Sequence, residues 1–293
     1  MTTSGLRHGR TLVGDVVLHH VSAGEGPPLL LLHGFPQTWY EWRHVIDDLA
    51  ADHLVIAPDH RGAGLSGRPH GGYDKVTMAR DIRLLMDVLA PGQRPVVVGH
   101  DMGSFLAFAY ATEFPDDIAG LCLVDAPVPG TAAWSSLLAN PKVWHVAFHG
   151  ARDVAEMLVA GRERAYLDQF FDLRAHHPER ITRADRDHYT EAYEQPGAMR
   201  AAFEAYRALP DDAVRNADLL AAGKLTLPLH VMVGTWSNSG PLLRGMIPEI
   251  AADPDVVRCT EFRECGHWVP EEQPEAFVAD LREFLHRIGH GAG

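Results

Sequence analysis

The pentapeptide "GHDMG" (residues 99–103) sets an aspartate between two glycines, directly after three valines. A strand that ends in glycine and hands over to a helix through a polar residue and a second glycine makes a sharp, strained turn, a nucleophile elbow. It leaves one side chain exposed above the sheet. The usual side chain there is serine, which needs a base to ionise it and suits attack on an acyl carbon. Asp101 is already ionised at neutral pH and suits displacement at a saturated carbon, which gives an alkyl ester of the enzyme. Hydrolysing that ester at its own carbonyl requires a base to activate water and donors to hold the oxyanion.

Both are present. "ECGHWVPEEQPEAF" (264–277) places His267 in a loop between the last strand and the last helix, within reach of the elbow. A histidine base needs an acid to fix its tautomer. The segment after the penultimate core strand, "VMVGTWSNSG" (231–240), has no carboxylate, whereas "LCLVDAPVPG" (121–130) supplies Asp125 at the end of the strand after the elbow. Asp125 is the favoured acid. Glu271 and Glu272 are alternatives that otherwise read as solvated first-turn residues of the final helix. In "HGFP" (33–36) the backbone N–H of Phe35 is expected to face that of Met102, forming an oxyanion hole. His33 reads as a turn-stabilising residue, and Asp59 and Arg61 in "DHRGAGLSGRP" (59–69) as scaffold.

These groups need a fold that gathers strand ends. Strand signals occur at 11–21 (a hairpin), 28–34, 53–59, 94–100 and 120–126, several of them continuous apolar runs of the kind buried on both faces of a parallel sheet. Between them "WRHVIDDLAAD", "VTMARDIRLLMDVLA" and "SFLAFAYATEF" show helical spacing. The alternation predicts an α/β fold, doubly wound, with ligand sites at the carboxyl ends of the strands. From 128 to 220 the chain is amphipathic, aromatic and without a convincing strand, and reads as an inserted helical cap. The alternation resumes at 227–234, 255–262 and a last helix at 274–288. The expected division is a core of 1–127 and 221–293 with a cap of 128–220.

Composition limits the partners. A formal charge of −13 disfavours nucleic acid and anionic membranes. No apolar run approaches the roughly 18 residues of a spanning helix, and the start "MTTSGLRHGR" lacks the apolar core of a signal peptide. Three cysteines without paired spacing read as reduced thiols. The 18 histidines include no HExxH pattern. The expectation is a cytoplasmic protein with no cofactor or metal, which takes a small molecule and has the option of a homodimer.

"HGFP", "DHRGAGLSGRP", "GHDMGS" and "CGHWVPEEQPEAF" together resemble the α/β-hydrolase fold, in its branch with an aspartate nucleophile. That branch holds epoxide hydrolases, haloalkane dehalogenases and fluoroacetate dehalogenases. Fluoroacetate dehalogenases carry arginines one and four positions after the nucleophile, where this chain has Met102 and Phe105. Haloalkane dehalogenases usually carry a tryptophan directly after it and often an asparagine in the "HGFP" turn, where this chain has Met102 and Phe35. Epoxide hydrolases supply a proton donor to the ring oxygen from the cap, in one subgroup through a His/Tyr pair. The resemblance to that subgroup implies His145 in "VWHVAFH" and Tyr206 in "FEAYRALP", with Tyr189 and Tyr193 as competing donors. The subgroup's acid is often glutamate where Asp125 stands here, one methylene shorter. Trp144, Trp268 and Met102 read as walls of an apolar pocket. The resemblance therefore implies opening of a small apolar epoxide by water to a vicinal diol. Dehalogenation by the same aspartate and a binding protein without turnover are the alternatives.

Overall fold

The computed structural model describes residues 5–291. Eight strands form one sheet: β1 (Arg7–Val13), β2 (Val16–Ala23), β3 (Pro28–Leu32), β4 (Leu54–Pro58), β5 (Val96–His100), β6 (Gly120–Val124), β7 (Leu229–Gly234) and β8 (Arg258–Phe262). Their spatial order is β1-β2-β4-β3-β5-β6-β7-β8. Strand β2 is antiparallel to both neighbours, and β3 to β8 are all parallel.

Side chains alternate across the sheet because a strand has a period of two. Leu30, Leu32, Val97, Leu121 and Leu123 pack on one face against the helices Lys75–Leu89, Met102–Glu113 and Gly240–Ile250. Leu29, Leu31, Val96, Val98, Cys122 and Val124 pack on the other, against Trp42, Ile46 and the final helix Pro274–Arg287. Two buried faces explain why these strands read as unbroken apolar runs. The segment "WRHVIDDLAAD" departs from the expected single helix: it is a 3-10 helix, Trp39–His44, followed by one short α-helical turn, Ile46–Leu49.

Between β6 and β7 the chain is helical throughout, with the longer helices at Glu163–Arg174, Arg183–Tyr193, Ala198–Arg207 and Leu209–Ala222. A third apolar cluster lies in this region. It joins Phe170, Phe171, Tyr189, Phe203 and Tyr206 to Phe35, Met102, Phe105 and Trp268 from beside the strand ends.

The register of the sheet brings the carboxyl ends of its parallel strands level with one another. Leu32 pairs with Gly99, Gly99 with Leu123, and Val124 with Met232. Phe35, Asp101, Asp125, Ser237 and His267 thus come from the carboxyl ends of five adjacent parallel strands, β3, β5, β6, β7 and β8.

Candidate active site

The elbow has the conformation its sequence demands. Asp101 sits at φ 50°, ψ −119°, a region a side-chain-bearing residue adopts only under constraint. The constraint is dense. Asp101 N–H donates to Val124 O at 3.2 Å, and Ser104 Oγ lies 2.6 Å from Gly99 O and accepts the Val124 N–H at 3.1 Å. Gly103 is obligatory because a Cβ there would stand 2.0 Å from the carbonyl oxygen of Leu32. Bound in this way, the turn projects the Asp101 carboxylate toward two partners. Oδ1 accepts the Phe35 N–H at 3.1 Å, and Oδ2 lies 3.2 Å from His267 Nε2.

On its other side His267 Nδ1 lies 2.5 Å from Asp125 Oδ2. Asp125 itself adopts φ 52° and is clamped by Gly234 N–H, which donates to Oδ1 at 3.2 Å, and by the Ser237 hydroxyl, which donates to Oδ2 at 2.5 Å. The segment "VMVGTWSNSG" thus supplies no acid but does supply two donors that hold one. The one-methylene shortening at Asp125 is spanned without a gap.

The electrostatics favour an ionised Asp101. Burial works against the Asp101 charge, but the hydrogen bond and charge of His267, with the charges of His100 and Arg174, outweigh it and hold the carboxyl well below the usual range. His100, fully buried at the end of β5, forms an ion pair with Glu41, Nδ1 to Oε1 2.8 Å, and its Nε2 lies 2.9 Å from His267 O. Burial opposes its charge, yet Glu41 raises its pKa to about 9. Glu41 Oε2 also accepts the Gly34 N–H at 3.1 Å, so one ion pair braces both the "HGFP" turn and the base loop.

Glu271 and Glu272 are not solvated: they are 1% and 2% exposed. Glu272 accepts N–H bonds from Gly266 and Trp268 in the base loop and from His176 and His177 in the helical insertion. Glu271 binds Arg43, Gln37 and the Tyr189 hydroxyl. The short Val269–Glu272 turn lies under the insertion rather than at the surface, which is why carboxylates that read as helix-start residues are structural clamps.

Asp101, Asp125, His267, His145, Tyr206 and Met102 line a single cavity. The Tyr206 hydroxyl makes no hydrogen bond to another described residue, whereas the Tyr189 hydroxyl donates to Glu271 at 2.9 Å and that of Tyr193 to Gln37 O at 3.1 Å. Burial and the neighbouring Asp101 charge push the Tyr206 phenol well above its ordinary pKa. His145 is held down to about 2, first by burial and then by the Arg174 charge, so it is a neutral imidazole at neutral pH.

Two expected wall residues are not brought to this cavity. Trp144 is 46% exposed and faces an outer depression. Consecutive helical residues point about 100° apart, so the helix Trp144–Gly150 turns His145 inward and its neighbour outward. Trp268 is fully buried behind the base, against the His267 ring at 4.7 Å and Phe171 at 5.1 Å. The apolar wall comes instead from Phe105, Trp134, Leu137 and Val143. Of these, Phe105 was noted only as standing in place of an arginine; the other three, Ser237 and Arg174 were not singled out from the sequence. Only Ser237 carried a signal, as a hydroxyl in the segment where an acid was sought. His33 Nδ1–H donates locally to Gly34 O at 2.8 Å, Asp59 accepts N–H bonds from Trp39 and Leu65, and Arg61 pairs with Asp15 and Asp81, all contacts within the scaffold.

No described helix is long and apolar enough to cross a membrane.

Comparison with known proteins matches this geometry to a family. Residues 27–274 match the family described as alpha/beta hydrolase fold. The chain is 36% identical over 284 residues to the soluble epoxide hydrolase of Corynebacterium sp. (strain C12), covering 94% of this chain and 95% of that one. It superposes on the structure of Cfl2 from Burkholderia cenocepacia with a TM-score of 0.88 at 35% identity, over 96% of both chains. It also superposes on the Cif epoxide hydrolase from Acinetobacter nosocomialis with a TM-score of 0.89 at 27% identity, over 97% of this chain and 90% of the other. With an elbow, a histidine after the last strand and an eight-stranded sheet in the family's arrangement, the chain belongs to the α/β-hydrolase fold family and is a hydrolase.

Proposed function

We propose that this hydrolase opens epoxides to vicinal diols through an ester of Asp101. The observation that carries the reading is the composition of one cavity: an ionised carboxylate that meets a histidine base, with a free phenol and a neutral imidazole on the same wall. An epoxide needs this combination, because a basic alkoxide leaves poorly unless a donor meets it as the carbon is attacked.

In the first step Asp101 Oδ2 forms a bond to one ring carbon and the C–O bond of the ring breaks. The Tyr206 hydroxyl, with His145, donates to the departing oxygen. The product is a hydroxyalkyl ester, and its formation removes the carboxylate charge beside His267 Nε2. That nitrogen then takes a proton from water. The resulting hydroxide attacks Cγ of Asp101, and the oxyanion that develops on Oδ1 meets the N–H groups of Phe35 and Met102. Collapse expels the diol oxygen, which takes the proton from His267, and leaves Asp101 as the carboxylic acid; its proton passes by way of water to the phenolate left on Tyr206 in the first step, which restores both groups. Asp125 keeps Nδ1 protonated and the ring aimed throughout. Residues 128–220 act as the cap that carries Tyr206 and His145 and closes this chemistry from bulk water.

The test is a single turnover of a small epoxide such as styrene oxide in ¹⁸O-labelled water with enzyme in excess. The mechanism puts the label in the Asp101 carboxylate and leaves the first diol unlabelled, because the diol's new oxygen is Oδ2. Label in the first diol would mean direct attack by water and would refute the ester.

A further inference from the structure

The cavity above Asp101 holds a cation to which this mechanism assigns no contact with the substrate. Arg174 is the last residue of the helix Glu163–Arg174, and it lines the same cavity as the nucleophile and the base. It is not a loose surface arginine. Its carbonyl accepts the His267 N–H at 2.9 Å, and Gly266 passes so close that a Cβ there would stand 2.2 Å from that carbonyl. Its guanidinium lies 3.1 and 3.2 Å from the two ring nitrogens of His145, and 5.5 Å over the ring of Phe170.

What it lacks is an acid. The inward-facing arginines Arg43, Arg61 and Arg207 each clasp a carboxylate. Arg174 clasps none among the described residues; its charge bears on Asp101 in the cavity without an ion pair between them. Lys142, exposed and likewise without a carboxylate partner among the described residues, lines the same cavity and the outer depression that adjoins it. A half-buried guanidinium without a counter-ion is unfavourable unless a ligand brings one. The whole chain, at −13, repels anions at long range, so an anionic substrate needs a local cation to be held.

We propose that the cavity selects an epoxide bearing a carboxylate, which Arg174 binds and Lys142 helps to admit. The guanidinium fork matches a carboxylate in two parallel hydrogen bonds. Trp134, Leu137 and Val143 supply apolar contact for the carbons between acid and ring. This replaces the wholly apolar substrate that the sequence suggests. It rests on the epoxide reading for its chemistry, and on the unpaired cation alone for its binding.

The test compares 4,5-epoxyhexanoate and 6,7-epoxyoctanoate with their primary amides, which keep the size and lose the charge. The expected kcat/KM favours at least one acid over its amide by about tenfold or more, as a charge-assisted contact should. Arg174→Gln should remove most of that preference, chiefly through KM; Arg174→Lys should keep part of it, and Lys142→Gln should lower it by roughly threefold. Calorimetric titration of hexanoate, which cannot react, reads the site without turnover. Equal use of both acids and their amides, or loss of activity on acid and amide alike in Arg174→Gln and Arg174→Lys, overturns the proposal and leaves the epoxide chemistry standing. Hexanoate binding that weakens in Arg174→Gln, with no epoxide consumed, keeps the anion site and removes the epoxide reading.

Discussion

The two aspartates of this site are held in a backbone conformation they would not choose alone. Asp101 and Asp125 both stand at positive φ, a cost of about 1–3 kcal/mol apiece, and each is fixed by backbone hydrogen bonds to adjacent strands. Among three tyrosines that compete as ring-opening donor, Tyr189 and Tyr193 have spent their hydroxyls on Glu271 and Gln37 O, and Tyr206 has not. Tyr206→Phe should therefore slow formation of the ester by roughly 10²-fold with little effect on its hydrolysis. Pre-steady-state kinetics that resolve the two steps check this; an unchanged first step would hand the role to another group. At this scale the convergence of Asp101, His267, Asp125 and the "HGFP" turn was legible because each sits in a short motif whose geometry is local. Arg174 and the outward Trp144 were not, because which way a helical residue faces depends on how the helix is docked.

Strand ends are what bring the groups together, and one ion pair ties several of them. His100 ends β5, pairs with Glu41 of the Trp39–His44 segment and meets the carbonyl of His267. Its pKa is raised from 6.5 to about 9, so between those values the folded protein holds a proton that the unfolded chain releases. The stabilisation is complete below pH 6.5 and is lost as pH rises through 9, a loss of roughly 3 kcal/mol by linkage. Urea unfolding at pH 6 and pH 10 should show it, and His100→Asn should flatten the profile; a wild-type midpoint that does not fall over this range would mean that the ion pair does not stabilise the fold. The strands were legible from their apolar runs. The burial of Glu271 and Glu272 was not, since nothing in "WVPEEQPEAF" reveals that residues from another region, Arg43 among them, cover those carboxylates.

At the scale of the whole molecule the candidate site lies on a seam. The sheet supplies Asp101, Asp125 and His267, and the helical insertion supplies Tyr206, His145 and Arg174, with Glu272 joining the base loop to the insertion through four backbone N–H groups. The alternation of strands and helices, and its interruption, were visible in the sequence because periodicity records secondary structure. The packing across the seam was not, because it depends on contacts between residues far apart in the sequence, such as His176 with Glu272 and Tyr189 with Glu271. The proposed chemistry depends on a covalent ester formed on one side of that seam and cleaved from it. Intact-protein mass of His267→Gln after incubation with an epoxide tests this most directly, since a glutamine cannot activate water and the ester should accumulate. The expected result is a gain of the full epoxide mass that disappears when Asp101→Asn is added; turnover by His267→Gln with no adduct, or an adduct that survives Asp101→Asn, would contradict it.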